Sequence, residues 1–241
     1  MNKKGILYII GTPIGNLDDI SQRAILALQK VDIIACEDTR KSKVLLERYN
    51  ITGKLIAHHA HNEKNSTEGI IKLLEKGKTV ALVSDSGMPV VSDPGGYLIR
   101  RIRDRGYNID IIPGPTALTT ALSFAGISAP YLFLGFAPAT PKKIRRILRK
   151  YKGLECPAVF YVAPHKLKKL IKEVQKICGN REIIIAKELT KIYQEILEFS
   201  VDEFLDKDPN LKGELVLIID PEEKKPEPKN KIADNRELPF I

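Results

Sequence analysis

Tryptophan is absent from this 241-residue chain, methionine occurs twice and cysteine three times. Cys36, Cys156 and Cys178 are odd in number, far apart and without C-x-x-C spacing, which indicates neither a disulfide framework nor a zinc site. All three read as packing residues, and no metal is expected. Also missing is any run near the roughly 18 consecutive apolar residues of a membrane span. The start MNKKGILYII leads into a strand rather than a secretory signal, so the expected location is the cytoplasm, away from membranes. No repeat of solenoid type is present. Neither the dinucleotide fingerprint nor a Walker A loop occurs where the first strand should meet its helix. The segment Gly11 to Ser21, GTPIGNLDDIS, is spaced G-x-x-x-G, which removes support for NAD or nucleoside triphosphate binding.

What is present is an α/β pattern. Apolar, β-rich runs at Ile6 to Ile10, Val31 to Cys36, Leu55 to Ala57, Thr79 to Val83 and Ile109 to Ile112 alternate with segments of helical period. Asp18 or Asp19 is expected to cap the first helix, with Ile20, Ala24, Leu28 and Val31 on one face. Around Pro113 to Pro130 the pattern changes to turn residues and small residues, the expected domain junction. A second set of strands follows near Tyr131 to Leu134, Ala158 to Val162, Glu182 to Ala186, Lys191 to Leu197 and Glu214 to Ile219. Between them Leu167, Leu170, Ile171, Val174 and Ile177 form an apolar stripe. With 43% hydrophobic residues, two α/β domains are expected, residues 1–114 and 115–220, followed by a short basic, Pro-containing tail, 221–241.

Polar residues concentrate in four successive strand-to-helix connections: GTPIGN, EDTRKS, HAHNEKN and SDSGMPVVSDPGG. In parallel α/β sheets such connections converge on one crevice at the carboxyl ends of the strands. The last is the most specialised. Asp85 and Gly87 sit where the backbone can approach a ligand, and Met88 and Asp93 each precede a proline that holds the loop extended. The same residue types also build ordinary tight turns. In EDTRKS, Arg40 is able to clamp a phosphate, or Glu37 and Asp38 pair with it and cap the next helix. His61 sits among polar neighbours in a setting suited to proton transfer.

Lys and Arg outnumber Asp and Glu by 39 to 30, giving a net charge of +9 that attracts polyanions. The excess is uneven. KKIRRILRKYK, Lys142 to Lys152, sets Ile144, Ile147 and Leu148 on one helical face and Lys and Arg on the others, a footprint for RNA phosphates or a plain solvated helix. Tyr131, Phe136 and Tyr151 lie nearby, as platforms for bases to stack on or as core.

Taken together, GTPIGNL, EDTRKS, HNEKN, SDSGMPVVSDPG, IPGPTAL, FLGFAP, FYVAPHKL, KELTKIYQE and KGELVLII, in this order over Lys4 to Asp220, resemble the ribosomal RNA small subunit methyltransferase I family of the tetrapyrrole methylase superfamily. The resemblance implies two α/β domains with S-adenosylmethionine in the cleft between them. It further implies a homodimer and methylation of the ribose 2′-hydroxyl of a cytidine in 16S rRNA, within the 30S subunit. Carried over by motif, Pro13, Asp85, Gly87, Met88, Thr116 and Ala117 contact the cofactor, and Val162 and Leu189 close the pocket. Ser86 and Met88 stand where the family more often has Ala and Thr. Longer members carry a helical extension where this chain has a Lys- and Pro-rich tail.

Transfer to a ribose hydroxyl calls for alignment opposite the departing sulfur and for a proton acceptor. His61 or Glu63 is expected to take the proton, with Arg40 and Lys187 orienting phosphate. Two alternatives share parts of this pattern: a methylase of small tetrapyrroles of the precorrin or uroporphyrinogen type, and a non-catalytic rRNA-binding assembly factor.

Overall fold

A computed structural model describes residues 5–128, 130–153 and 155–223. The tail expected at 221–241 therefore lies almost wholly outside the described residues.

The first half alternates strand and helix: β1 (Ile6–Ile10), α1 (Gln22–Lys30), β2 (Ile33–Cys36), α2 (Thr39–Arg48), β3 (Lys54–Ala57), α3 (Glu63–Glu75), β4 (Val80–Leu82), α4 (Gly96–Asp104) and β5 (Asn108–Ile112). Its strands form one parallel sheet in the order β3-β2-β4-β1-β5. Because strand side chains alternate faces, Leu7 and Ile9 join Ile33, Val80, Ile70 and Leu98 beneath α3 and α4. Ile10 joins Ile34, Ala81, Ala24, Leu28 and Leu45 beneath α1 and α2. Both faces are covered, which is why these strands read as continuous apolar runs.

The second half comprises α5 (Ala117–Phe124), β6 (Leu132–Phe136), α6 (Pro141–Tyr151), β7 (Ala158–Val162), α7 (Pro164–Cys178), β8 (Arg181–Lys187), β9 (Glu195–Ser200), α8 (Val201–Lys207) and β10 (Leu215–Glu223). Its sheet is mixed, ordered β6-β7-β10-β8-β9, with only the β6–β7 pair parallel. One face packs Phe160, Ile183, Ile185, Leu215 and Leu217 against α6, α7 and α8 through Ile144, Leu148, Leu170, Ile171 and Phe204. The opposite face, Val159, Ala186, Val216 and Ile218, meets Leu118, Ala121 and Leu122 of α5. Ile14, from the loop after β1, is buried in that same cluster. This side chain ties the first sheet's ligand edge to the second sheet.

Two local expectations need correction. Ser21, not Asp18 or Asp19, caps α1, its hydroxyl accepting the Ala24 N–H at 3.1 Å. Asp18 and Asp19 instead occupy a short 3-10 turn capped by Asn16, where two acidic residues gain from the exposed N–H groups. The last hairpin also starts later. Glu188 and Thr190 adopt left-handed backbone (φ 49° and 64°), turning the chain so that β9 begins at Glu195 rather than Lys191.

The loops after β1 and β5 touch backbone to backbone. A β-carbon on Gly114 would lie 2.8 Å from the Gly11 backbone, closer than real contacts allow. Gly114→Ala should therefore destabilise the fold by about 1–3 kcal/mol through overpacking. Urea unfolding followed by circular dichroism checks this, and an unchanged midpoint would refute it.

Candidate active site

The parallel sheet delivers five loops to one edge. The loop after β1 is locked to the loop after β4 by hydrogen bonds from Thr12 N–H to Gly87 O (2.9 Å) and from Gly87 N–H to Pro13 O (3.3 Å). The buried Thr12 hydroxyl lies 3.2 Å from both Ser84 O and Gly87 O, and the Ser84 hydroxyl donates back to Gly87 O at 3.0 Å. Gly87 has φ 78°, and a β-carbon there would press on Ile14 and the Pro115 carbonyl at 3.1 and 3.2 Å. Glycine is thus required both by conformation and by space.

The loop after β2 is joined through Asp85. Its carboxylate accepts the Asp38 N–H at 2.9 Å and an ion pair from Lys41 at 2.9 Å. That hydrogen-bonded carboxylate holds the Lys41 ammonium above its ordinary pKa. Asp38 caps α2 and pairs with Arg40 at 2.8 Å, and those bonds hold its carboxyl far below the usual carboxylate range. The helix-capping alternative for EDTRKS is what the structure shows for Asp38. The loop after β3 is joined through Glu63, whose Oε1 accepts the N–H groups of Gly95 (2.9 Å) and Tyr97 (3.1 Å) at the start of α4. The other three polar connections are thereby tied to the loop after β4.

That loop is pinned at Gly87 and at Gly95 (φ 120°), and between the pins Val90 and Ser92 are left-handed at φ 74° and 71°. For a β-branched residue this is a strained conformation that only surrounding structure can maintain. The strained segment faces a cavity of about 330 Å³ between the two sheets. One wall is Ile14, Ser86, Gly87, Met88, Val91, Asp93, Thr116 and Ala117. The other is Phe136, Tyr161 to Pro164, Ala186, Leu189 and Gly213 to Val216. Tyr161 crosses between them, its hydroxyl accepting the Leu118 N–H at 3.0 Å while Phe133 and Phe136 pack edge-on against its ring.

Six of the eight expected cofactor residues, Gly87, Met88, Thr116, Ala117, Val162 and Leu189, line this cavity. Pro13 and Asp85 line an adjoining hollow of about 280 Å³ that shares Ile14, Ser86 and Glu214 with it. The four expected catalytic residues line neither. His61 is exposed at the end of the β3 loop, edge-on to His59. Glu63 is engaged as the cap of α4. Arg40 has a side chain 88% exposed, and Lys187 pairs with Glu195 at 2.8 Å across β8 and β9. Sequence reasoning passed over Asp93 as a site residue, although its Asp-Pro-Gly setting in the most specialised loop was a usable signal. Burial first, then the neighbouring Glu37 and Asp85 carboxylates, push Asp93 up to about 6, and Glu37 is raised for the same first reason.

Among the described residues, no group of three or more His, Cys, Asp or Glu side chains could hold a metal ion, and no helix is long and apolar enough to cross a membrane. Residues 6–205 match the family model of tetrapyrrole (corrin/porphyrin) methylases. A relative from Halalkalibacterium halodurans named ribosomal RNA small subunit methyltransferase I is 40% identical over 228 residues, 93% of this chain and 79% of that protein. One of the same name from Thermotoga maritima is 41% identical over 218 residues, 89% of this chain and 98% of its own length. The chain belongs to the ribosomal RNA small subunit methyltransferase I family. Within the wider tetrapyrrole methylase fold, the family's architecture is shared with uroporphyrin III C-methyl transferase from Thermus thermophilus (TM-score 0.66, 13% identity, 90% of this chain and 97% of that one). Diphthine synthase also shares it (TM-score 0.67, 12% identity, 90% of each chain).

In this member of the methyltransferase I family, Glu63 secures two backbone donors at a helix start. Glu63→Ala should cost about 1–2 kcal/mol of stability. Glu63→Gln, which keeps an acceptor oxygen, should lose less than half as much. Thermal unfolding of both variants tests the assignment, and equal losses would count against it.

Proposed function

We propose that this chain transfers a methyl group from S-adenosylmethionine to the ribose 2′-hydroxyl of a cytidine in 16S rRNA, presented within the 30S subunit. It would work as a homodimer whose protomers each comprise two α/β domains, 1–114 and 115–220, with the cofactor between them. The observation that carries the reading is the cavity between the sheets. It is walled by Gly87, Met88, Thr116, Ala117, Val162 and Leu189 in a chain about 40% identical to relatives of that name.

The cavity suits such a cofactor. Its volume falls within the roughly 300–1,000 Å³ usual for small-molecule sites, and its walls are mostly apolar with a few polar groups to fix orientation. Ser86, Asp93, Thr116 and Glu214 bring polar side chains to its walls. Ile14, Leu189 and Val162 exclude water. The cofactor, when bound, supplies an electrophilic methyl on a sulfonium. The chain's share is to hold donor and acceptor in line, an effect that can contribute many powers of ten without covalent participation. Fixed placement between two rigid sheets, rather than a mobile side chain, accounts for that here.

Substrate RNA would meet α6. Ile144 and Leu148 are buried, Arg145 is tied to Glu173 at 3.1 Å, and Lys142, Lys143, Arg146, Arg149 and Lys150 remain exposed. The helix begins five residues beyond Phe136, which lines the cavity. Arg40, 88% exposed at the same sheet edge, adds another phosphate contact once released from Asp38.

The decisive experiment offers labelled cofactor to undermethylated 30S subunits and, separately, to a precorrin. A single 2′-O-methylcytidine located by mass mapping of 16S rRNA is expected, and label in the precorrin alone would overturn the proposal. Ala117→Phe should fill the cavity and weaken cofactor binding at least about tenfold by calorimetry. Replacing Arg146 and Arg149 together by alanine should weaken 30S binding and flatten its log–log salt dependence by about 1 for each phosphate that is no longer neutralised.

A further inference from the structure

We propose that Asp93 is the catalytic residue that accepts the proton of the attacking hydroxyl, an inference that rests on the methyl-transfer reading above. Three carboxylates, Glu37, Asp85 and Asp93, gather where the loops after β2 and β4 meet. They are not equivalent. Asp85 is committed, one oxygen to the Asp38 N–H and the other to Lys41. Glu37 stands behind, outside the cavity walls. Asp93 alone of the three lines the cavity, opposite Tyr161 and Phe136 of the second sheet and beside Met88 and Val91.

The backbone around it is built to hold that position. Left-handed Val90 and Ser92 precede it, Pro94 follows, and the loop is fastened on either side through Gly87 and through Gly95 to Glu63. Ser92 also touches the second sheet, where a β-carbon on Gly135 would come within 3.3 Å of its hydroxyl. A loop strained in this way places one side chain at high cost in stability, a pattern expected where position matters more than packing.

The charges facing Asp93 are Glu37 from the loop after β2 and Asp85 from its own loop, with the Ser84 hydroxyl and the Tyr161 phenol of β7 beside them. The ammonium of Lys41, on α2, is spent on Asp85. Burial and these like charges raise Asp93 to about 6, which is where a carboxylate is a useful base yet remains ionised at neutral pH. In the transfer, the bond between the ribose oxygen and the methyl carbon forms as the carbon–sulfur bond breaks and leaves its electron pair on sulfur. The hydroxyl proton passes to a carboxylate oxygen of Asp93. Nothing else is consumed.

Single-turnover methylation of undermethylated 30S subunits by the full chain should rise about tenfold per pH unit below about 6 and level off above it. Asp93→Asn should lower the plateau rate by about 10²–10⁴-fold while binding cofactor and 30S subunits within threefold of the unaltered chain. Asp93→Glu should recover part of the rate with a displaced pH profile. Stability supplies an independent readout. A carboxylate whose pKa is raised by folding weakens the fold progressively as pH climbs from about 4 to about 6. Asp93→Asn should therefore melt higher than the unaltered chain at pH 7.5 but not at pH 4, the reverse of what loss of a merely structural carboxylate gives. A plateau rate within fivefold of the unaltered chain, or loss of cofactor binding in Asp93→Asn, would overturn the assignment of Asp93 alone. Failure of the unaltered chain to methylate any 30S preparation would overturn the functional reading itself.

Discussion

Everything at the ligand edge depends on a backbone contact that tolerates no side chain, Gly11 against Gly114. These two residues follow β1 and β5, neighbours in the parallel sheet, and their approach brings the loops they begin into one plane. Thr12 then reaches Gly87, and Ile14 passes over into the core of the second sheet. Close packing of main chain, rather than any strong polar pair, backs the wall of the cavity behind Met88. Main chain has no side-chain rotamers to exchange, so this contact is rigid, although ordering glycine backbone carries the largest conformational-entropy cost of any residue.

Beyond that contact the structure carries features that work against its own stability. Val90 and Ser92 occupy a conformation that favours glycine, and three carboxylates share a poorly hydrated corner with a single lysine already paired to one of them. Each would be removed by selection for stability alone. The compensation is visible in the apolar clusters on both faces of both sheets, and in Glu63, which satisfies the start of α4 at the point where the strained loop ends.

The architecture was legible because its strands are buried on both faces and therefore stand out as apolar runs. β1 and β7 fall on the expected residues, and the stripe from Leu167 to Val174 is the buried face of α7. The convergence of the four polar loops followed from the same parallel topology. Roles within the site were less legible, since a carboxylate's task depends on what it faces. Glu63 and Asp93 look alike in sequence, yet one is consumed by two backbone donors and the other is turned toward the cavity. His61 was attractive for its chemistry, but the helix that starts two residues later carries the chain away from the cleft. The turn before β9 was missed because left-handed Glu188 and Thr190 leave no glycine to mark it.

The placement of β10 has a consequence for biogenesis. Last in chain order of the strands among the described residues, it lies at the centre of its sheet, between β7 and β8. While the polypeptide emerges N-terminus first, the parallel sheet is complete once Ile112 is available, whereas β7 and β8 must wait with unpaired edges until Leu215 to Glu223 arrive. Maturation is therefore stepwise: a finished first layer and a second held open until its keystone strand is inserted, with the cleft between them formed only at that final stage.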